Sequence, residues 1–389
     1  MSKEVLQTIE IDKLEAGMFV HAIAQQNGEL EVKSKGRISS QVIVERLKQQ
    51  GITSVIIDTS KAIKDDIAEL PKKTPRKKLE DIDMELGRVE RLILQCKKTH
   101  KRYTFEIAKS EFGSVDAARE VVDDIQKSLS RNPNALLCLT AIKNSSAYLA
   151  EHSIHVAVLL CHFAQSLNIK EKDCKELALL GYLYDIGMTQ VDPSVLNKTT
   201  ALTQQEWADV KQHPLKAAEL LEGLGLSNSA ILAIQQHHER LDGSGYPKQL
   251  KGDMINKYAR LLAIVDAYDA MTTERPFKPA IEPAKALKTL LDPKNGYDLK
   301  LATAFIKCVG IYPVGSLVLL SNKRIGVVVQ QGEKNPKLPK VKVFYSVTGS
   351  HYMEPKELNL TGDTSGIKVE KAVLASDYKL NLQQIFPNI

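Results

Sequence analysis

From residue 79 to about residue 308 the apolar residues recur at helical spacing almost without a break, as in MELGRVERLILQC and HSIHVAVLLCHFAQSL. Stripes of that period are buried only by packing helix on helix, so the stretch predicts an all-helical domain of about 170–230 residues. The flanks read differently. Residues 5–60 are short extended pieces, VLQTIEI and TSVIID, around a KLEAGMFV turn, and SSQVIVERLKQQG sets Val42, Ile43 and Leu47 at helical spacing before a glycine stop. After Ile311 come VGSLVLL, IGVVVQQ and KVKVFYSV, three β-branched runs split by NKR and EKNPKLPK. They predict a small β-rich module that ends in a helical or irregular tail.

The expected fold class is therefore multidomain α+β. A mixed α/β module covers residues 1–70, a basic linker 71–78, connecting helices 79–139, a helical domain 140–312 and a β-rich module 313–389. At 389 residues the chain has room for such a division. Its formal net charge of +6 resembles that of a nucleic-acid binder until the charge is located. The segment PKKTPRKK, residues 71–78, carries five basic residues and no acid, which leaves +1 for everything else. No specific nucleic acid partner is expected from a solvated tether of this kind. No apolar run approaches the roughly 20 residues of a membrane-spanning helix, and MSKEVLQTIEIDKLEAG lacks the apolar stretch of a signal peptide. A cytoplasmic protein is the expectation. Cys96, Cys138, Cys161, Cys174 and Cys308 are scattered, with no CxxC pair, so neither a disulfide framework nor a thiolate zinc site is indicated.

Six of the nine histidines lie in the helical domain 140–312, at 152, 155, 162, 213, 237 and 238. His237 and His238 are adjacent and precede ERLDGSGYP, whose glycines permit tight turns and close approach to a ligand. With Asp185 in YLYDIG, His213 in VKQHP, Asp266 in LLAIVDAYDA and His152 in LAEHS, four imidazoles and two carboxylates come from separate helices. Mixed nitrogen and oxygen donors suit Fe, Mn, Zn, Ni or similar ions better than Mg or Ca. Two such ions a few ångströms apart are a recurrent device for phosphoester hydrolysis. The plainer alternative is that these are structural histidines and a capping aspartate.

HHERLDGSGYP (237–247), YLYDIG (182–187), LNK (196–198), LTxxEW (202–207), KQHP (211–214) and AIVDAYDAMTTERPF (263–277) together resemble the HD-GYP family. That bacterial branch of the HD phosphohydrolases typically hydrolyses cyclic di-GMP to pGpG or GMP. The resemblance runs from about residue 140 to 312. The leading IxxxxxGMFV and VIID look like the domain of unknown function that often precedes HD-GYP, and YPVGSLVLLSNKRIGVVV looks like its usual continuation. The resemblance implies an HD-type helical domain with one or two divalent transition metals, Fe or Mn first. The implied ligands are His152, Asp185 as the bridging and catalytic carboxylate, His213, His237, His238 and Asp266. It also implies that Arg275 and Lys278 in ERPFK hold phosphate or guanine, with Tyr246 in the loop beside the substrate.

The sequence departs from the family at the reaction centre. The HD dyad reads Tyr184-Asp185, and a neutral phenol with a pKa near 10 is a weak ligand. The lysine of HDIGK is Met188, which offers no charge to a phosphate. Tyr148 stands where members with three metals carry Glu, which argues against a trinuclear site. His155, three residues after His152, shares its helix face and is a candidate to supply the missing imidazole, the alternative being a packing or carbonyl-bound histidine. Two functions follow. One is a metal-dependent cyclic di-GMP phosphodiesterase whose hydrolysis is weak or absent. The other is an inactive cyclic di-GMP-binding effector or interaction module in second-messenger signalling, with signalling proteins or a second copy as partners. Trp207 reads as a core residue or a domain contact.

Overall fold

The computed structural model describes residues 6–14, 18–26, 36–38, 41–58, 79–141, 148–196, 198, 200–274, 279–332, 335–362 and 366–381. The basic linker, Arg275 and Lys278 lie outside the described residues, as does the side chain of Tyr148.

The amino-terminal sheet is built from β1 (Leu6–Glu10), β2 (Phe19–Gln26), β3 (Gly36–Arg37) and β4 (Ile52–Asp58), with α1 (Gln41–Gln49) leading into β4. The strand order is β1-β4-β2-β3, all antiparallel. Its core of Leu14, Val20, Val44, Ile52, Val55 and Ile57 forms a cluster separate from that of the rest of the chain.

Twelve helices follow among the described residues: α2 (Ile82–Ala108), α3 (Asp116–Arg131), α4 (Pro133–Ala141), α5 (Tyr148–Ser166), α6 (Glu171–Leu183), α7 (Pro193–Leu196), α8 (Gln204–Val210), α9 (His213–Leu221), α10 (Asn228–Gln236), α11 (Lys257–Thr272), α12 (Pro283–Leu291) and α13 (Leu299–Val309). Helix α5 is the axis of the bundle, packed by α2, α4, α6, α11 and α13. That position explains its composition, because a helix covered on every side carries apolar residues all round. Its histidines are consequently interior ones. Helix α2 is clamped to α3 by the buried Glu85 carboxylate, which accepts from the Arg131 guanidinium at 2.7 and 2.8 Å and from the Ser128 hydroxyl at 2.8 Å. Burial opposes the charge of Glu85, but these donors hold its pKa below the usual carboxylate range. Helices α2–α4 share one continuous apolar core with α5, α6 and α9–α13.

The carboxy-terminal sheet has five antiparallel strands, β5 (Leu317–Leu320), β6 (Arg324–Gln330), β7 (Lys340–Ser346), β8 (His351–Asn359) and β9 (Val369–Val373), in the order β8-β7-β6-β5-β9. Alternation along β5 and β6 sends Leu317, Leu319, Ile325, Val327 and Val329 into the helical core, and Val318, Leu320 and Val328 into a small second core. Strands buried on both faces read as unbroken apolar runs, which is why these two are legible in the sequence. The module also contains β8 and β9, which the apolar runs do not mark, and after β9 the described chain ends in the expected way, in a short 3-10 turn over Ser376–Tyr378 and irregular residues. Strand β8 is the sheet's edge, mostly exposed on both faces and carrying Pro355 and charged side chains, so neither alternation nor apolarity announces it.

Candidate metal centre

Each candidate side chain sits at a helix end or on a buried helix face. Helix α6 stops at Leu183, and Asp185 begins a tight turn over Ile186–Gln190. Gly187 is required there, since a β-carbon would fall 2.1 Å from the His213 carbonyl oxygen and 2.6 Å from the Ala217 nitrogen. This close approach to the first turn of α9 sets Asp185 Oδ1 3.2 Å from His213 Nε2. His213 opens α9 and His237 closes α10. His213 Nδ1 donates to the Val210 carbonyl at 2.7 Å, and His237 Nδ1 donates to the Ile234 carbonyl at 2.6 Å.

These two bonds fix the chemistry of the facing atoms. With the proton of each neutral ring on Nδ1, both Nε2 atoms present lone pairs, and they lie 3.2 Å apart. Burial first, and the His213 ring next, lower the His237 pKa to about 4. His238 completes a group in which the donor atoms of His213, His237 and His238 lie within 4.8 Å of one another. Burial and the His237 ring hold His238 well below the ordinary imidazole pKa as well. The imidazoles of His213, His237 and His238, with the Asp185 carboxylate beside His213, make a nitrogen and oxygen donor set that fits a divalent cation.

The loop after His238 is tied down by Glu239, whose buried carboxylate accepts from the backbone nitrogens of Lys248 at 2.6 Å and Leu250 at 2.9 Å. A β-carbon on Gly245 would stand 2.4 Å from Glu239 Cα, so only glycine lets the loop fold back this far. Folded so, Tyr246 lies over His238 with ring centroids 4.6 Å apart.

The other half of the expected ligand set is arranged differently. His152 Nε2 lies 3.1 Å from Asp266 Oδ1, and the fully buried Tyr184 hydroxyl donates to the same Asp266 oxygen at 2.8 Å while lying 2.7 Å from His152 Nε2. The phenol thus sits among the donor atoms that the resemblance assigns to a metal. On the far side, His152 Nδ1 bonds Asp269 Oδ2 at 2.5 Å, and His155 Nδ1 bonds the other oxygen of Asp269. Burial opposes charge on His152, but Asp266 and Asp269 raise its pKa to about 9. Burial also opposes the Asp266 charge; the His152 bond and neighbouring imidazoles nevertheless hold its pKa well below the carboxylate range. Asp266 Oδ2, 3.9 Å from His238 Nδ1, links the two halves.

His155 therefore directs Nδ1 at Asp269, a carboxylate behind His152. Asp269 itself was not singled out in the sequence. Its signal is the matched spacing of His152 with His155 on α5 and Asp266 with Asp269 on α11, each pair three residues apart on one helix face. Met188 is half-buried in the turn after Asp185. Trp207, read as a core or contact residue, is 45% exposed.

Residues 136–301 match the HD domain family, and residues 6–129 match the Domain of unknown function DUF3391. The cyclic di-GMP phosphodiesterase PA4108 of Pseudomonas aeruginosa is 33% identical over 363 residues, which cover 88% of this chain and 86% of that protein. The chain belongs to the HD-GYP family. Two further relatives match over shorter stretches. The cyclic di-GMP phosphodiesterase response regulator RpfG of Xanthomonas campestris is 38% identical over 139 residues, 35% of each chain. The 3'3'-cGAMP-specific phosphodiesterase 3 of Vibrio cholerae is 34% identical over 164 residues, 40% of this chain and 36% of that one. Among the described residues of this HD-GYP protein no helix is long and apolar enough to cross a membrane.

Proposed function

We propose that this HD-GYP protein binds cyclic di-GMP over a single divalent transition metal held by Asp185, His213, His237 and His238, and that hydrolysis there is slow or absent. Fe or Mn is the proposed ion. The observation that carries the reading is the Tyr184 hydroxyl, bonded at once to His152 Nε2 and Asp266 Oδ1. In that place it consumes the donors of a second ion, and the imidazole of His152 is held between two carboxylates instead.

A divalent ion bound by the three imidazoles supplies positive charge to phosphoryl oxygens and acidifies water. The residues do the rest. Asp185 sets its Oδ1 3.2 Å from His213 Nε2, where both atoms can face the same ion. Tyr246, raised in pKa by burial, stays a neutral phenol and covers His238. Met188 leaves the phosphate without the lysine usual in the family. Losing one ligand or one cation facing the phosphate costs a factor of roughly ten to a thousand each. The inactive-effector reading is the limit in which both losses act in full.

The test is anaerobic incubation of the Mn(II)- or Fe(II)-reconstituted protein with cyclic di-GMP, products being separated by chromatography, with Asp185→Ala as control. The unmutated chain is expected to bind the dinucleotide and release pGpG or GMP at least about a hundredfold more slowly than a Tyr184→His, Met188→Lys double variant. Fast turnover that the double variant does not improve would contradict the reading.

A further inference from the structure

We infer that Trp207 and Lys211 form a stacking platform for one nucleobase of the dinucleotide, a subsite that deepens the proposed function and rests on it. The chain has one tryptophan. It lies on α8 with 45% of its surface exposed, although indole is among the side chains that gain most from burial. Its position is not slack. Thr203 and Glu206 form a reciprocal cap at the start of α8, the Thr203 hydroxyl accepting from the Glu206 nitrogen at 3.2 Å and the Glu206 carboxylate accepting from the Thr203 nitrogen at 2.6 Å. Glu206 also accepts twice from Lys198 at 2.7 Å, which fixes the same turn to the preceding loop.

The rings line up from the metal centre outward. Tyr246 lies over His238 at 4.6 Å, and Trp207 lies 6.5 Å beyond Tyr246. Lys211, one turn after Trp207 on the same face, places its ammonium 5.6 Å from the indole and 5.5 Å from the phenol. Among the described residues Lys211 forms no ion pair with a carboxylate, in contrast to Lys198. An exposed aromatic face beside an unclaimed cation, two rings away from the imidazoles, is the chemistry that takes a purine and an adjoining phosphate. With one phosphate of the dinucleotide at the imidazoles, the adjoining base is one ribose away, and the proposed platform takes it on the side of Tyr246 and Trp207, whose rings follow His238 in steps of 4.6 and 6.5 Å. Stacking tolerates any purine, so this subsite supplies affinity without choosing guanine over adenine.

Because Trp207 is the only indole, its fluorescence reports on this subsite alone. The metal-reconstituted full-length protein is titrated with cyclic di-GMP and with cyclic GMP-AMP, binding being followed by calorimetry and by Trp207 emission. Saturating ligand is expected to change the emission. Trp207→Ala is expected to weaken binding of both dinucleotides roughly 5- to 150-fold, the range of about 1–3 kcal/mol per stacked base, and Trp207→Phe to weaken it less. Lys211→Ala is expected to weaken binding and reduce its salt dependence. Melting temperature and metal content of each variant establish that the fold and centre are intact. Unchanged emission at saturation, or Trp207→Ala binding within about twofold of the unmutated protein, would overturn the platform and leave the proposed function standing. Absence of calorimetric binding to the unmutated protein would overturn both.

Discussion

Buried carboxylates carry much of the specificity of this structure, and they differ in how far the sequence reveals them. Asp185 and Asp266 stand in HD-GYP motifs and are legible. Asp269 bonds two imidazoles and Glu239 holds two loop nitrogens, yet each looks in sequence like an ordinary acid beside a motif. The partners that give them meaning lie 114 and 117 residues away for Asp269 and on the far arm of the loop for Glu239, and only the fold joins them. Tyr184 is the converse case. The substitution is plain in the sequence, but its consequence, a hydroxyl bonded to both neighbours, needs the geometry. Glu85 offers a test free of the metal centre. Its pKa is lowered on folding by Arg131, Ser128 and Arg88 against the cost of burial. A carboxylate depressed in this way contributes stability above its unfolded value near 4.3, and the contribution is lost as pH falls through the lower folded value. Glu85→Gln is expected to lower unfolding free energy by roughly 2–3 kcal/mol at neutral pH, with the gap to the unmutated protein closing in acid. Urea melts across that range check it, and a gap independent of pH would count against the clamp.

At the scale of elements, the helices of residues 79–308 and the strands β5, β6 and β7 follow directly from periodicity, because their packing is symmetric enough to leave an apolar pattern. Strands β8 and β9 do not, since an exposed edge needs no apolar face. The turn over Ile186–Gln190 is also hidden, though it decides where Asp185 points. Gly187 makes that turn possible by lying against the backbone of α9. Gly187→Ala is expected to force the turn off α9, part Asp185 from His213 and weaken metal binding by about tenfold or more, as loss of a supporting contact does. Competition with a chelator measures this. Undiminished affinity would show that the close approach does not position the carboxylate.

For the whole molecule, the clusters of apolar residues predict which parts depend on which. Leu317, Leu319, Ile325, Val327, Val329, Phe344 and Val373 belong to the same core as the helices, whereas the amino-terminal sheet has a core of its own. At about 1.5–3 kcal/mol for each buried side chain, ending the chain at residue 312 removes roughly 10 kcal/mol or more, comparable to the entire stability of a domain. Such a chain is expected to show no cooperative melt, while one that starts at residue 79 keeps both its melt and its metal. The reverse pattern would mean that the apolar clusters misrepresent the units of stability. The central claim concerns how many ions the full chain holds, and anaerobic reconstitution with Mn(II) followed by metal analysis tests it most directly. The account predicts one equivalent per chain, lost in His237→Ala and retained in His152→Ala; two equivalents, or one that disappears with His152, would contradict it.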